Sequence, residues 1–205
     1  MNLVFVGKQG SGKGTEAKII AEKLNLQHIS TGDLLRQAEG ELRKEIDSYI
    51  LKGNLVPDEL ILIILEKRIE KEDCNRGIIL DGYPRNLKQA EMLDKIIKID
   101  KVIDINISNE IARKRLNGRW NCNKCGSIYN SFTEPKPKIL GICNKCKGKL
   151  SQREDDIDEA LINKRLEIYR KDTSPILTHY KNKLIKIDGS GSVEEVTEKI
   201  LEVLD

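Results

Sequence analysis

A glycine-rich turn near the N-terminus carries the most specific chemical signal in this sequence. Residues 2–15 read NLVFVGKQGSGKGT, in which Gly7, Gly12 and Lys13 have the spacing G-x-x-x-x-G-K of a phosphate-binding loop. Glycines let several backbone N–H groups point at one anion, and a helix beginning at the lysine adds its positive N-terminal end. Lys13 itself supplies a mobile positive charge. A dinucleotide-binding turn would need G-x-G-x-x-G, a spacing that does not occur in this sequence.

Cysteines give the second signal, because four of the five form two Cys-x-x-Cys pairs separated by 17 residues. The pairs are Cys122 with Cys125 and Cys143 with Cys146. This spacing is typical of a structural zinc site, in which four thiolates complete a tetrahedron and leave no position for a substrate. Because the first strand pattern begins at residue 2, we expect no secretory signal, and this expectation disfavours disulfides. Cys74 stands apart, and we expect it to be a buried or half-buried thiol.

The composition of the 205 residues is that of an ordinary soluble chain, with 39% hydrophobic and 34% charged residues of mixed sign. A net charge of +3 gives no reason to expect nucleic-acid or membrane partners. No apolar run approaches the roughly 18 residues of a membrane span. We therefore expect a cytoplasmic protein.

Short apolar segments alternate with longer helical patterns, and these elements must position the two motifs. Strands are predicted at residues 2–6, 27–29, 77–81, 101–106 and 183–187. Helices are predicted at residues 13–24, 31–38, 41–52, 58–72, 86–98, 109–117, 157–172 and 192–203. The alternation predicts an α/β fold of the P-loop type, with a parallel five-stranded sheet covered by helices on both faces. Ligands of such sheets bind beyond the carboxyl ends of the strands, where Gly7, Ser30 and Asp81 are predicted to lie.

Residues 118–156 break this alternation and are interpreted as a small inserted unit that contains the cysteine pairs. A zinc ribbon could bind nucleic acid, but the insert has only eight basic against four acidic residues, a net charge of +4. Four thiolates and one Zn²⁺ lower that charge to +2. Its three aromatic side chains, Trp120, Tyr129 and Phe132, are few for stacking bases. We therefore expect no nucleic-acid partner.

The complete loop, G-x-x-G-x-G-K-G-T, resembles that of the adenylate kinases and related nucleoside monophosphate kinases. The segments ISTGDLLR (29–36), GNLVPDEL (53–60) and LDGYPRNLKQA (80–90) resemble further elements of this family. The cysteine insert looks like the zinc-bearing lid of its bacterial-type members, so the resemblance covers essentially the whole chain. Departures occur at Lys8 and Gln9, where relatives usually have a small residue and proline, at Trp120, and in a shortened clamp.

The resemblance implies an adenylate kinase, which transfers a phosphoryl group reversibly from Mg·ATP to AMP, gives two ADP and maintains adenine nucleotide balance. It implies a single kinase unit, 1–205, with a core of residues 1–29, 57–117 and 157–205. A helical acceptor clamp at 30–56 and a zinc-ribbon lid at 118–156 complete this division. The implied cofactors are Mg²⁺ with ATP and a structural Zn²⁺, and the implied state is a monomer.

Matching motifs position by position assigns site residues. The resemblance implies phosphate contacts during transfer by Lys13, Arg36, Arg85, Arg119, Arg153 and Arg165. The implied ATP-binding residues are Gly10, Ser11, Gly12, Lys13, Gly14, Thr15, Arg115, Arg119, Ile128, Tyr129 and Gly191. The implied AMP-binding residues are Thr31, Arg36, Asn54, Leu55, Val56, Gly82, Tyr83, Pro84, Arg85, Gln89, Arg153 and Arg165. Asp81 and Thr15 are expected to hold Mg²⁺ through water, and Cys122, Cys125, Cys143 and Cys146 to bind zinc.

The chemistry of the side chains agrees with the acceptor assignment. Arg36 and Arg85 can each donate two hydrogen bonds to an α-phosphate. Gln89 offers a donor and an acceptor for the N1 and N6 edge of adenine. Two alternatives stay open: a kinase with UMP, CMP or shikimate as acceptor, and a non-enzymatic zinc-ribbon protein that uses ATP as a switch. Gln89 and the STGD segment favour AMP.

Overall fold

Apolar strands build the central sheet of the chain. A computed structural model describes residues 1–50, 56–153 and 156–204, apart from the side chain of residue 50. The strands are β1 (Leu3–Val6), β2 (Gln27–Ser30), β3 (Ile78–Asp81), β4 (Lys101–Asn106), β5 (Arg119–Cys122), β6 (Ile128–Asn130), β7 (Leu150–Ser151) and β8 (Leu184–Asp188). Strands β2, β3, β1, β4 and β8 form a five-stranded parallel sheet in that order. The predicted fold class is confirmed.

Helices cover both faces of this sheet, because its central strands are apolar on both sides. They are α1 (Lys13–Leu24), α2 (Thr31–Gln37), α3 (Gly40–Ile50), α4 (Asp58–Ile69), α5 (Leu87–Ile96), α6 (Asn109–Asn117), α7 (Glu159–Ile168), α8 (Ser174–His179) and α9 (Val193–Glu202). A short 3₁₀ helix lies at Glu72–Cys74. Within the described ranges, no helix combines the length and the apolar character needed to cross a membrane.

The helical region after the insert is longer than predicted. The predicted helix ends at residue 172, but α7 continues through a π-helical turn, Tyr169–Thr173, directly into α8. Pro175 lies in the first turn of α8, where the missing N–H of proline costs no helical hydrogen bond. The segment DTSP therefore marks the start of a new helical turn, whereas the sequence pattern indicated an end.

Two apolar layers fix the sheet between its helices. On one face, Val4 and Leu80 pack with Leu65, Leu93 and other buried side chains. On the other face, Leu3 and Phe5 pack with Ile20 of α1 and Ile200 of α9. Every residue of β1 is buried, so packing in the core holds the start of the following turn in place.

The insert forms a separate three-stranded antiparallel sheet in the order β6-β5-β7. Its small apolar cluster consists of Cys122, Tyr129, Cys143 and Leu150, with Trp120 and Cys146 packed beside it. This cluster is far smaller than the layers around the main sheet. The insert therefore depends on its cysteines for much of its order.

Candidate active site

The loop between β1 and α1 has the form of an anion-binding cradle. Gly12 is the N-cap of α1 with φ 94°, a left-handed conformation that favours glycine. The side chain of Ser11 is buried, and its Oγ has no hydrogen-bond partner in the part of the chain that the structure describes. A buried hydroxyl without a partner is costly unless a ligand satisfies it. The loop therefore fits a phosphate group.

Asp81, at the carboxyl end of β3, lies directly beside this loop. A Cβ atom at position 14 would stand 2.9 Å from Asp81 Oδ2, so a larger residue at this position would displace the carboxylate. Burial acts to raise the pKa of Asp81, but His28 and the positive charges of Lys13 and Arg85 more than offset it, and the pKa is lowered. The ionised carboxylate of Asp81 and the hydroxyl of Thr15, in the first turn of α1, are oxygen donors that suit Mg²⁺.

His28 on β2 lies behind Asp81, with Nε2 3.8 Å from Asp81 Oδ2. That distance is too long for a hydrogen bond. The buried Nε2 atom also has no other hydrogen-bond partner among the described residues. The imidazole and the carboxylate are therefore close enough to interact electrostatically, but they form no hydrogen bond.

Positive charges converge on Lys13. Its pKa is lowered by burial and, further, by the guanidinium groups of Arg85, Arg119 and Arg165, while Asp81 acts in the opposite direction. The pKa of the Arg85 guanidinium is lowered mainly by desolvation. Arg36 lies close enough to Arg85 to lower this pKa further. These cations come from α1, α2, β5, α7 and the loop after β3, and they act on one another electrostatically. Such a concentration of cations suits a polyphosphate.

A buried carboxylate, Asp156, holds two of these arginines. Arg119 Nε and Nη2 donate to Asp156 Oδ2 and Oδ1, each at 2.7 Å, and Arg165 Nη1 donates to Oδ1 at 2.8 Å. Asp156 is fully buried, whereas both arginines keep part of their surface exposed. The sequence motifs predict no role for Asp156. Its position three residues after Arg153, where the insert rejoins the core, is the only sequence feature that points to such a role.

Three of the other predicted phosphate contacts have local partners. Arg36 forms an ion pair with Asp33, one turn earlier on α2, at 2.5 Å. Arg85 Nε donates to the carbonyl oxygen of Gly82 at 2.8 Å. Arg153 Nη2 donates to Asn121 Oδ1 at 3.3 Å. Since an exposed pair such as Arg36 with Asp33 contributes little free energy, a phosphate can compete for that guanidinium.

The side chain of Arg115, on α6, reaches the phosphate loop. Its guanidinium donates to the carbonyl oxygens of Ser11, Ser190 and Gly191, at 3.4, 3.3 and 3.1 Å. Burial lowers the pKa of Arg115, and the carboxylate of Glu16 acts to raise it. The structure thus brings together Arg115, the loop and the backbone of Gly191, three parts of the predicted ATP site.

The predicted acceptor residues gather around the end of β3. Thr31 Oγ1 donates to the carbonyl oxygen of Gly82 at 2.9 Å. Tyr83 and Pro84 are buried, and the ring of Tyr83 packs in the core. Gln89 is also buried. Val56 is half-buried, whereas Asn54 and Leu55 lie outside the described residues.

The four cysteines of the insert come together as predicted. Their sulfur atoms all lie within 4.8 Å of one another, and a tetrahedron with Zn–S bonds of about 2.3 Å has sulfur separations of about 3.8 Å. Tyr129, predicted to contact ATP, is buried with its hydroxyl 3.4 Å from Cys143 Sγ, and Ile128 precedes it on β6. The thiol set fits a tetrahedral Zn²⁺ site.

The unusual Lys8 does not enter the cradle. Its Nζ donates to the carbonyl oxygen of Ile107 at 2.7 Å, just beyond β4. The Oε1 atom of Gln9 is buried without a hydrogen-bond partner in the described part of the chain. Lys8 thus ties the start of the loop to the neighbouring strand.

Known proteins match this chain along its length. The sequence model of the adenylate kinase family matches residues 5–185. The chain is 43% identical to adenylate kinase from Thermodesulfovibrio yellowstonii, covering 100% of this chain and 99% of the relative. It is 44% identical to the enzyme from Clostridium tetani and 45% identical to that from Caldanaerobacter subterraneus subsp. tengcongensis, again over 100% of this chain, with 98% and 96% of those relatives covered. The chain therefore belongs to the adenylate kinase family, and the resemblance read from its motifs is confirmed.

Proposed function

We propose that this chain transfers the γ-phosphoryl group of Mg·ATP reversibly to AMP and so forms two molecules of ADP. The observation that carries the proposal is a set of cations at the carboxyl end of the sheet. Arg119 and Arg165 share the carboxylate of Asp156, and together with Arg85 they lie close enough to Lys13 to lower its pKa, beside Asp81. Phosphoryl transfer needs alignment of the reactants and positive charge on the oxygens of the moving group, and little covalent help from the protein. Family membership supports the same activity.

The donor nucleotide would occupy the loop and the face of α6. Backbone N–H groups of residues 10–15 and Lys13 would bind the phosphates, and Ser11 Oγ would gain the partner that it lacks. Arg115, already fixed by three carbonyl oxygens, would pack against the adenine ring near the backbone of Gly191. Ile128 and Tyr129 would complete this site from the lid, Tyr129 through its backbone because its side chain faces Cys143.

Magnesium would be held through water by Asp81 and Thr15. The low pKa of Asp81 keeps its carboxylate ionised at neutral pH, and Gly14 lets it approach the loop. When bound, Mg²⁺ would neutralise part of the charge on the phosphates.

The acceptor would bind between α2 and the end of β3. Arg36 and Arg85 would donate to its α-phosphate, and Gln89 would read the base. Thr31, Val56, Gly82, Tyr83 and Pro84 would line the site, as would Asn54 and Leu55 from the predicted clamp. An oxygen of the AMP phosphate then attacks the γ-phosphorus, and the bond to the bridging oxygen of ADP breaks.

Closure of the lid would complete the site. We propose the division into core, clamp (30–56) and lid (118–156), with Arg119 and Arg153 at the two ends of the lid and Arg165 on α7. Closure would bring Arg153 to the phosphates and exclude water, which otherwise competes with AMP as acceptor. Asp156 would keep Arg119 and Arg165 aligned for the same group.

Zinc in the lid would have a structural role. Cys122, Cys125, Cys143 and Cys146 would each supply one thiolate, and a four-coordinate site leaves no position for substrate. Reduced thiols and nucleotide substrates both favour a cytoplasmic location. We further propose that the enzyme acts as a monomer without nucleic-acid or membrane partners.

A screen of acceptors tests this function. With Mg·ATP as donor, ADP formation is measured with AMP, GMP, CMP and UMP at equal concentrations. AMP is expected to be preferred by at least about tenfold in kcat/KM, because other bases leave the amide of Gln89 partly unpaired at a cost of about 1–3 kcal/mol. Equal rates with AMP and CMP would refute AMP as the specific acceptor, and hydrolysis without any acceptor dependence would favour the ATP-switch alternative.

A further inference from the structure

The amide of Gln89 already has two partners, both at close range. Its Nε2 donates to Asp58 Oδ1 at 2.6 Å, and its Oε1 accepts from the backbone N–H of Arg85 at 2.6 Å. A glutamine amide has two N–H donors and two acceptor lone pairs. These contacts use one of each, which leaves one donor and one acceptor for a ligand.

The two partners determine which way this amide faces. A carboxylate without a proton can only accept hydrogen bonds, and a backbone N–H can only donate them. Rotating the amide of Gln89 by 180° would place its oxygen against Asp58 and its NH₂ group against the N–H of Arg85. Both contacts would become unfavourable, so the chemistry of the partners fixes one orientation.

Asp58 is itself held in place from two helices. It is the first residue of α4, where an acidic side chain interacts favourably with the helix N-terminus. Its second oxygen, Oδ2, accepts from Asn86 Nδ2 at 3.3 Å, and Asn86 caps α5 by accepting from the N–H of Gln89 at 2.8 Å. One carboxylate therefore accepts from two amides that belong to the start of α5.

We infer that Asp58 is a specificity-determining residue, which positions the amide of Gln89 so that its free donor and acceptor match adenine and oppose hypoxanthine. The inference rests on the proposed function, in which Gln89 reads the base of the acceptor. Adenine presents an acceptor at N1 and a donor at N6. Hypoxanthine presents the reverse pattern, a donor at N1 and an acceptor at O6. With its orientation fixed, Gln89 can satisfy only the first pattern.

The variant Asp58→Asn changes this arrangement with almost no change of shape. Asparagine offers one acceptor and one donor where Asp58 offers two acceptors, so it cannot accept from Gln89 and Asn86 in the same way. The orientation of the Gln89 amide is then no longer imposed from this side. The measured quantity is the ratio of kcat/KM for AMP to kcat/KM for IMP, together with the KM for ATP.

The ratio is expected to fall about tenfold in Asp58→Asn, with a higher KM for AMP and an unchanged KM for ATP. Asp58→Glu keeps a group that only accepts and is expected to retain most of the preference, which also guards against a folding defect in the first variant. Glu59→Gln is the matched control. Glu59 is the next residue and forms an exposed pair with Lys88 at 2.6 Å, so this variant should keep the wild-type ratio.

A ratio that stays at the wild-type value in Asp58→Asn would overturn the inference. Equal rises in KM for AMP and ATP would also overturn it, since that pattern indicates a general structural defect. Gln89→Ala separates this outcome from failure of the proposed function. If Gln89→Ala keeps the AMP preference, Gln89 does not read the base, and the role of Asp58 fails while AMP remains the acceptor of the proposed function. A preference that is lost in Gln89→Ala but kept in Asp58→Asn refutes only the role of Asp58.

Discussion

The phosphate loop and the proposed lid would bind neighbouring parts of the proposed substrates, but they obtain their shape in different ways. The loop follows β1, whose four residues are all buried between two apolar layers, and it continues into α1 without a gap. The lid has a cluster of a few buried side chains around four cysteines. The main core thus fixes the geometry of the loop. The geometry of the lid depends instead on its four cysteines and on the contacts of Asp156 with Arg119 and Arg165.

The largest loss of activity is expected for a substitution in the core, at Arg85. Arg85→Ala should lower kcat/KM by about 10³-fold or more, because an arginine that stabilises the transferred phosphoryl group contributes on that scale. Arg85→Lys should remain strongly impaired, since an ammonium cannot donate two parallel hydrogen bonds. Steady-state kinetics with AMP and ATP measure both variants. Near-normal kcat in Arg85→Lys would contradict the bidentate role.

The junction between lid and core should show the next largest effect. Asp156→Asn keeps the shape of the side chain but removes the charge that aligns Arg119 and Arg165. We expect kcat to fall about 10²-fold, because misplacement of phosphate-binding groups by about 1 Å has effects of this size. Asp158→Asn, at the N-cap of α7, is a control of the same chemistry nearby and should keep normal kcat. A similar loss in both variants would mean that the effect does not come from the arginine junction.

Removal of zinc should separate folding of the lid from chemistry. Stripping the metal with a chelator, or Cys143→Ser, should lower the Tm and increase protease cleavage within residues 122–146, because metal binding contributes folding free energy. At temperatures where the lid stays folded, kcat should change only a few-fold, since Arg119 and Arg153 lie outside the cysteine pairs. Activity and proteolysis are measured on the same metal-free sample. An inactive enzyme with a protected lid would refute the structural role of zinc.

The smallest effect on turnover is expected at Glu16, within the core. Burial raises the pKa of Glu16 from an ordinary 4.5 to about 7; the hydroxyl of Thr197, a hydrogen-bond donor at 2.7 Å, and Arg115 act to lower it, while Glu194 acts to raise it. The folded protein keeps a proton that the unfolded chain releases, so stability is lost as the pH rises from about 4.5 to about 7.

Glu16→Gln removes this ionisation and retains an oxygen that accepts from Thr197. Between pH 5 and pH 8 the wild type should lose about 2 kcal/mol more of unfolding free energy than the variant. Urea unfolding at the two pH values measures the difference, and kcat should be unaffected. Identical pH dependence in the two proteins would show that Glu16 titrates near its ordinary pKa.

The sequence predicted the sheet and the family because these depend on local patterns. The five strands of the main sheet lie within about a residue of their predicted bounds, and the sulfur atoms of the four cysteines predicted to bind one metal lie within 4.8 Å of one another. The division into core, clamp and lid and the roles of the site residues stay predictions. What could not be predicted depends on tertiary contacts: Lys8 binds the carbonyl oxygen of Ile107, and Gln89 binds Asp58. No spacing in the sequence encodes such pairs, which lie 99 and 31 residues apart.

The shared carboxylate of Asp156 affects the order in which substitutions at these positions can be tolerated. Because Arg119 and Arg165 bind the same group, the effect of substituting either one depends on which residue stands at position 156. Once Asp156 is replaced, Arg119 and Arg165 are less restrained. Replacing one of these arginines then causes a smaller further loss of activity than it would in a protein that keeps Asp156. These three positions are therefore expected to covary, and double-mutant combinations among them should be strongly non-additive.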